Sequence, residues 1–168
     1  MAVVASAAAG LHAARRASIV QLRAPTLSAR ELEAEATELV ASSPVPVLIS
    51  SRCDVAMAAG AAGVNLPEQD IATTDARALL GLQLIGRSVH SLGAAVQAER
   101  DGADFVIFGP VWASESHADS VPAGLDALSE VARALQIPVL AIGGITEDRI
   151  AECHAAGAAG FAAIRFFR

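Results

Sequence analysis

The chain has 168 residues, enough for one domain. Hydrophobic residues make up 54 % and charged residues 18 %, which excludes a disordered chain. The net charge is −6, lysine and tyrosine are absent, and all 12 basic residues are arginine. Without a basic cluster, nucleic acid and anionic membrane surfaces are excluded as partners.

The N-terminal run from Met1 to Gly10 is apolar, but no basic residue precedes it, and Arg15-Arg16 follow it, unlike a secretory leader. No stretch of about 18 apolar residues is free of charges, so no transmembrane helix is expected. These features predict a soluble cytoplasmic protein. Cys53 and Cys153 share neither a C-x-x-C motif nor a metal-ligand spacing, and read as buried apolar residues.

Short β-branched runs predict strands near 2–5, 18–23, 45–50, 63–66, 84–89, 104–109, 137–142 and 160–165. Alanine-rich segments between them predict helices near 7–16, 28–41, 52–60, 73–80, 91–101, 122–135 and 146–156. Ser28 with Glu31 forms a capping box, Thr146 opens the last helix, and Gly102 and Gly157 sit where helices end. Strict alternation implies right-handed βαβ units and a parallel sheet. Eight units over residues 1–168 imply a compact α/β fold, a single-domain (β/α)8 TIM barrel. Such barrels typically run to roughly 250 residues. Here about 20 residues per unit suffice, because the turns are short and the helices thin. The eighth helix is missing, which predicts exposed apolar surface around Phe161, Phe166 and Phe167 and a homodimer that covers it. The longest connection, Gly109 to Val121, reads as a functional loop.

In a barrel, functional groups stand at the C-terminal ends of strands. The polar residues obey that asymmetry. Gln21 and Arg23 end the second strand, Ser50-Ser51-Arg52 the third, and Asn65 the fourth, followed by Glu68 and Asp70. Ser88 and His90 end the fifth. Ser114, Glu115, Ser116 and His117 follow the sixth, Gly143-Gly144 the seventh, and Arg165 ends the eighth. Gly143-Gly144 is either a phosphate cradle or a plain tight turn. Arg23 is expected to point into the barrel mouth, where a buried guanidinium needs a ligand phosphate or Asp70 or Glu68. His90 is either a structural hydrogen bonder or a site residue, and His117 lies in the long loop. His12 and His154 fall on helix surfaces. A hard cation needs converging carboxylates. Asp70 stands at the mouth, but Ser50-Ser51 offers none, and Asp54 and Asp75 lie on helices. No metal site is expected, and Mg²⁺ least of all.

The run Gly86-Arg87-Ser88-Val89-His90-Ser91, the segment Gly102-Ala103-Asp104-Phe105-Val106-Ile107-Phe108-Gly109-Pro110-Val111 and the run Ile137-Pro138-Val139-Leu140-Ala141-Ile142-Gly143-Gly144-Ile145 resemble the thiamine phosphate synthase/TenI family. So do Gln21-Leu22-Arg23 and Ala156-Gly157-Ala158-Ala159-Gly160. The resemblance spans residues 18 to 165. It implies either of two activities. Thiamine phosphate synthase joins a hydroxymethylpyrimidine diphosphate to a thiazole phosphate and releases pyrophosphate with Mg²⁺. TenI-like proteins shift a double bond in the thiazole phosphate carboxylate.

Departures bear on the choice. The synthase's Gln-x-Arg-x-Lys reads Gln21-Leu22-Arg23-Ala24-Pro25, its Asn-Asp pair reads Ser50-Ser51, and the lysine of its sixth-strand loop is replaced by His117. These contacts would each contribute on the order of 3 kcal/mol to a leaving diphosphate. Val64-Asn65-Leu66-Pro67 resembles the TenI-like branch, although that branch's acid/base histidine falls at Pro110. The sequence therefore favours a TenI-like barrel that binds a thiazole phosphate and shifts a proton with His90 or His117. Gln21, Arg23, Ser88, Gly124, Gly143, Gly144 and Arg165 are expected to contact the substrate. A non-catalytic binding member and a divergent thiamine phosphate synthase are the alternatives.

Overall fold

The computed structural model describes residues 1–113 and 121–167. Eight strands alternate with seven helices: β1 (Ala2–Val4), α1 (Ala7–Ala13), β2 (Val20–Leu22), α2 (Ala29–Ser42), β3 (Val47–Ser50), α3 (Cys53–Ala59), β4 (Gly63–Leu66), α4 (Thr73–Leu80), β5 (Leu84–Val89), α5 (Leu92–Arg100), β6 (Phe105–Phe108), α6 (Gly124–Ala134), β7 (Val139–Ile142), α7 (Glu147–Ala155) and β8 (Gly160–Ala162). The strands pair in chain order, every neighbour parallel. A narrow seam closes the ring, where Val3 N–H donates to Ala163 at 2.9 Å and Ala163 N–H to Met1 at 3.1 Å. The predicted eight-unit barrel is the observed one.

Register decides what each residue faces. Partners across a parallel ladder point the same way, so Val3, Gln21 and Leu48 share one face of the sheet. That face is the barrel interior, filled by Met1, Val3, Leu48, Phe105, Ile107 and Ala162. The outward residues of β1–β5 pack under α1–α4. Those of β5–β7 pack under α5–α7. Helix starts follow the local chemistry. Ser28 Oγ accepts from Glu31 N–H while Glu31 accepts from Ser28 N–H at 2.8 Å, which completes the capping box. Cys53 and Cys153 are both buried.

Two expectations are corrected. The second and eighth strands are shorter than predicted, and Arg23 and Arg165 lie beyond them. Both are exposed. The apolar surface expected beside β8 is also only partly exposed. The chain turns back after Ala163, and Phe166 meets Phe161 and Phe167 edge to face with centroids 5.0 and 5.1 Å apart, while Phe161 and Phe167 stack at 5.9 Å. The Arg16 guanidinium lies 5.6 Å from the centre of the Phe166 ring. Phe167 is buried and the other two are half-buried. The chain's own aromatic residues thus cover part of the surface expected to meet a second copy. No helix among the described residues is long and apolar enough to cross a membrane.

Candidate functional site

At the C-terminal end of the barrel, four neighbouring strands turn polar residues inward. Gln21 on β2 and Asn65 on β4 are each only 3 % exposed. Ser50 on β3 pairs in register with Asn65, and Asn65 with Gly86 on β5, two residues before Ser88. Asn65 Nδ2 donates to Ser88 Oγ at 3.0 Å. Its Oδ1 is buried with no hydrogen-bond partner. An orphaned buried carbonyl oxygen costs about 1–3 kcal/mol, which singles Asn65 out among the polar residues of the mouth. Gly86 makes the arrangement possible, because a Cβ there would lie 2.2 Å from the Phe105 ring and 2.8 Å from Asn65 Oδ1. The opposite arc is apolar, with Ile107, Ile142 and Ile164 facing inward.

The β4–α4 loop overhangs the polar arc. Arg87 holds it from the outer face of β5 by donating to the carbonyls of Ile71 at 2.6 Å, Glu68 at 2.9 Å and Asp70 at 3.3 Å. Asp70 is tied into its own loop, its Oδ1 accepting from Ile71 N–H at 2.8 Å. Glu68 Oε2 stands 3.7 Å from His90 Nε2, and His90 Nδ1 lies 2.5 Å from the Gly109 carbonyl. His90 therefore sits on the rim with both ring nitrogens facing oxygen acceptors.

Arg23 is exposed rather than buried at the end of β2, and its expected partners are engaged elsewhere, Glu68 with His90 and Asp70 with its own loop. It lines an adjacent cavity of about 430 Å³ whose other walls include Val3, Ala5, His12 and Ile164. Its backbone N–H donates to Val4 at 2.8 Å. Arg165 lies exposed in the turn after β8. Gly124 opens α6, with its N–H spent on the Val111 carbonyl at 3.1 Å. His117, with Ser114, Glu115 and Ser116, lies outside the described residues. His154 stays on the helix surface as expected, its Nδ1 at 3.1 Å from the Ala158 carbonyl.

Gly143 and Gly144 adopt φ of +97° and +65°. A Cβ on Gly143 would lie 2.6 Å from Pro110 Cβ, and one on Gly144 2.7 Å from Trp112 Cβ. The glycines thus let the β7–α7 loop pack directly on the segment after β6. Arg149 in the first turn of α7 joins this contact. Its Nη1 donates to the Gly144 carbonyl at 2.7 Å, and its guanidinium lies 4.9 Å from the centre of the Trp112 ring.

Arg87, Arg149, Trp112 and the Glu68–His90 pairing are not marked as site features in the sequence. One signal was available: Arg149 puts a cation in a helical first turn, where the helix dipole favours anions. The others depend on contacts between loops, which leave no local pattern.

Asp70 and Glu68 are the carboxylates of the overhanging β4–α4 loop, and the described residues hold no group of three or more histidine, cysteine or acidic side chains able to enclose a cation. Asp54 is committed elsewhere. Arg52 donates to both its oxygens at 2.8 and 2.5 Å, which lowers its pKa to about 2. Burial pushes the Cys53 and Cys153 thiols up, so neither suits a nucleophile's role.

Comparison with known proteins agrees with this architecture. Residues 2–167 match the family described as thiamine monophosphate synthase. A thiamine-phosphate synthase of Chloroflexus aurantiacus is 40 % identical over 152 residues, spanning 88 % of this chain and 70 % of that protein. One of Methanoculleus marisnigri is 42 % identical over 162 residues, spanning 93 % and 76 %. The solved thiamine phosphate pyrophosphorylase of Pyrococcus furiosus superposes with a TM-score of 0.89 at 29 % identity, covering 97 % of this chain and 84 % of that one. The chain belongs to the thiamine-phosphate synthase/TenI family of thiamine biosynthesis.

Proposed function

We propose that the protein is a divergent thiamine-phosphate synthase, a transferase that joins a hydroxymethylpyrimidine diphosphate to a thiazole phosphate. The reading is carried by the two chemically distinct halves of the mouth. The arc of Gln21, Ser50, Asn65 and Ser88 offers hydrogen-bonding groups suited to an aminopyrimidine, and the orphaned Asn65 Oδ1 suits its amino group. The Gly143-Gly144 loop offers backbone N–H groups suited to a phosphate monoester. A mouth with two recognition chemistries fits a two-substrate transfer better than a one-substrate isomerisation. The names of the relatives point the same way, which moves the TenI-like tautomerase from leading reading to second.

In the transfer, the bond from the pyrimidine methylene to diphosphate breaks and its electron pair leaves on the diphosphate. The ring nitrogen of the thiazole supplies the pair for the new C–N bond. The chain's own part is to hold both rings in line and to receive the diphosphate, for which the exposed Arg23 guanidinium beside the 430 Å³ cavity is the proposed group. No step is assigned to a bound metal.

The test supplies both substrates and follows pyrophosphate and thiamine phosphate. Release that needs both substrates and falls less than about threefold in EDTA is expected, since the donor set holds no cation cage. No release with or without Mg²⁺ would overturn the reading. The pairing of His90 with Glu68 and Gly109 favours a second one, a proton shift on the thiazole phosphate carboxylate. Ultraviolet change with that substrate alone, lost in His90→Ala, would establish it, and retention in both His90→Ala and His117→Ala would remove it. Calorimetric binding of thiazole phosphate with neither reaction would mark a non-catalytic binding member.

A further inference from the structure

Three successive carbonyls of the β7–α7 loop are held from one side. Ile142 accepts from Val111 N–H at 2.8 Å, Gly143 from Trp112 N–H at 3.2 Å, and Gly144 from Arg149 Nη1 at 2.7 Å. These three peptide bonds are trans. In a trans peptide the C=O and the following N–H point in opposite directions. The N–H groups of Gly143, Gly144 and Ile145 are therefore aimed away from the segment after β6. The positive φ at both glycines curves them into one concave nest of donors.

The three holds are not equivalent. The first two are backbone to backbone, whereas the third is a side chain. Arg149 also sits where a cation opposes the helix dipole, directly after Glu147 and Asp148, which complement it. Its placement is explained by what it grips. One of its donors takes the Gly144 carbonyl, and the Trp112 ring supports its plane.

We infer that Arg149 is a positioning residue for the phosphate monoester of the substrate. By gripping the Gly144 carbonyl it aims the Ile145 N–H, the last donor of the nest, at the phosphate. The inference rests on the proposed function only in taking a phosphate monoester as the ligand of this loop. Loss of the grip frees the Gly144–Ile145 peptide to rotate, which weakens ground-state phosphate binding and leaves the reacting atoms untouched. The signature is a raised KM with kcat preserved.

Trp112 is the one tryptophan of the chain, and tyrosine is absent, so intrinsic emission reports on this contact. The experiment titrates inorganic phosphate and thiazole phosphate against Trp112 emission, with calorimetry as a second reading, and measures turnover separately. Arg149→Ala is expected to weaken both ligands by about tenfold and to raise KM with kcat within about twofold. Arg149→Met, which keeps the apolar stem over Trp112 but no donor, should behave alike. Arg149→Lys, whose ammonium reaches the same carbonyl, should recover to within about threefold. Unchanged affinity in the alanine or methionine variant, a loss confined to kcat, or no rescue by lysine in a protein of normal melting temperature would overturn the inference. Wild type that binds phosphate without turnover sinks the transferase reading and leaves Arg149 to be judged on affinities. Wild type that turns over but binds neither ligand at this loop sinks the inference alone.

Discussion

Asn65→Ala separates a functional buried polar group from a structural one. Truncating a fully satisfied buried amide would cost its hydrogen bonds and its packing. Asn65 starts from a deficit, because Oδ1 is buried without a partner and only Nδ2 is bonded, to Ser88 at 3.0 Å. Removing the orphan returns about 1–3 kcal/mol, and losing the Ser88 bond costs about 1 kcal/mol. The vacated space lies at the polar end of the barrel, where water can enter beside Ser50 and Ser88. The balance is about 0–2 kcal/mol of added stability, a rise in Tm of up to about 6 °C for a domain of this size. Activity should move the other way. If Oδ1 accepts from the pyrimidine amino group, kcat/KM falls roughly 10- to 100-fold. Thermal unfolding and steady-state kinetics on the same preparation read both. Ser88→Ala is the contrasting control, since it strands Nδ2 as well and should destabilise by about 1–2 kcal/mol. A fall in Tm of more than about 6 °C for Asn65→Ala, with kcat/KM unchanged, would refute the reasoning and make Asn65 a structural residue.

Two further changes address parts of the molecule away from the mouth. Arg77 donates to the carbonyls of Gly81, Gln83 and Gly102 and to Asp104 Oδ2, all between 2.7 and 2.9 Å, at the end of the barrel opposite the site. Its side chain is partly exposed, so water replaces some of these bonds. Arg77→Ala should cost about 2 kcal/mol, or about 6 °C in Tm, with kcat/KM unchanged by assay at 25 °C. Asp54, whose pKa of about 2 lies below the ordinary value of 3.8, contributes stability that is present above about pH 4 and lost as pH falls through 2. The pair is exposed, so the contribution is under about 0.5 kcal/mol in salt. In a pH series of melting curves, Asp54→Asn should leave Tm at pH 7 within about 2 °C and flatten the acid limb below pH 4.

The barrel was legible because each unit announces itself locally. The β-branched runs, the Ser28–Glu31 capping box and the turn glycines all lie within a few residues of what they specify. The strand count and the asymmetry of polar ends followed from them. The ends of β2 and β8 were not legible, because no local residue pattern marks where a strand gives way to a turn. That moved Arg23 and Arg165 out of their strands and onto the surface. The cover of Phe161, Phe166 and Phe167 depends on the chain turning back on itself, and composition alone read these residues as an exposed patch. Within the site, Gln21, Asn65, Ser88 and His90 were found from their places at strand ends. Glu68 and Arg149 gain meaning only from partners on other loops, His90 and Gly144.

The same division explains how this mouth can depart from its family without loss of the fold. Ser50 faces inward at the open end of β3, and Ser51 follows it with φ of +67°, its N–H donating to the Asn65 carbonyl at 3.1 Å. What the scaffold takes from Ser51 is a backbone hydrogen bond and a left-handed conformation, which a small or short polar side chain such as Ser, Asn or Asp permits. The residues that hold β3 in place are Val47, Leu48 and Ile49, one set under the helices and one inside the barrel. Replacing an amide and a carboxylate by two hydroxyls therefore alters cation and diphosphate affinity while the apolar packing stays as it was. The Gly143-Gly144 loop is the reverse case. Its glycines are held by contact with Pro110 and Trp112, so a side chain there would disturb both the packing and the donor nest. Under the proposed function, the phosphate end of the mouth is thus tied to the fold, and the diphosphate end is free to vary. Divergence of chemistry in this chain is accordingly expected in how the diphosphate is received, while recognition of the thiazole phosphate is retained.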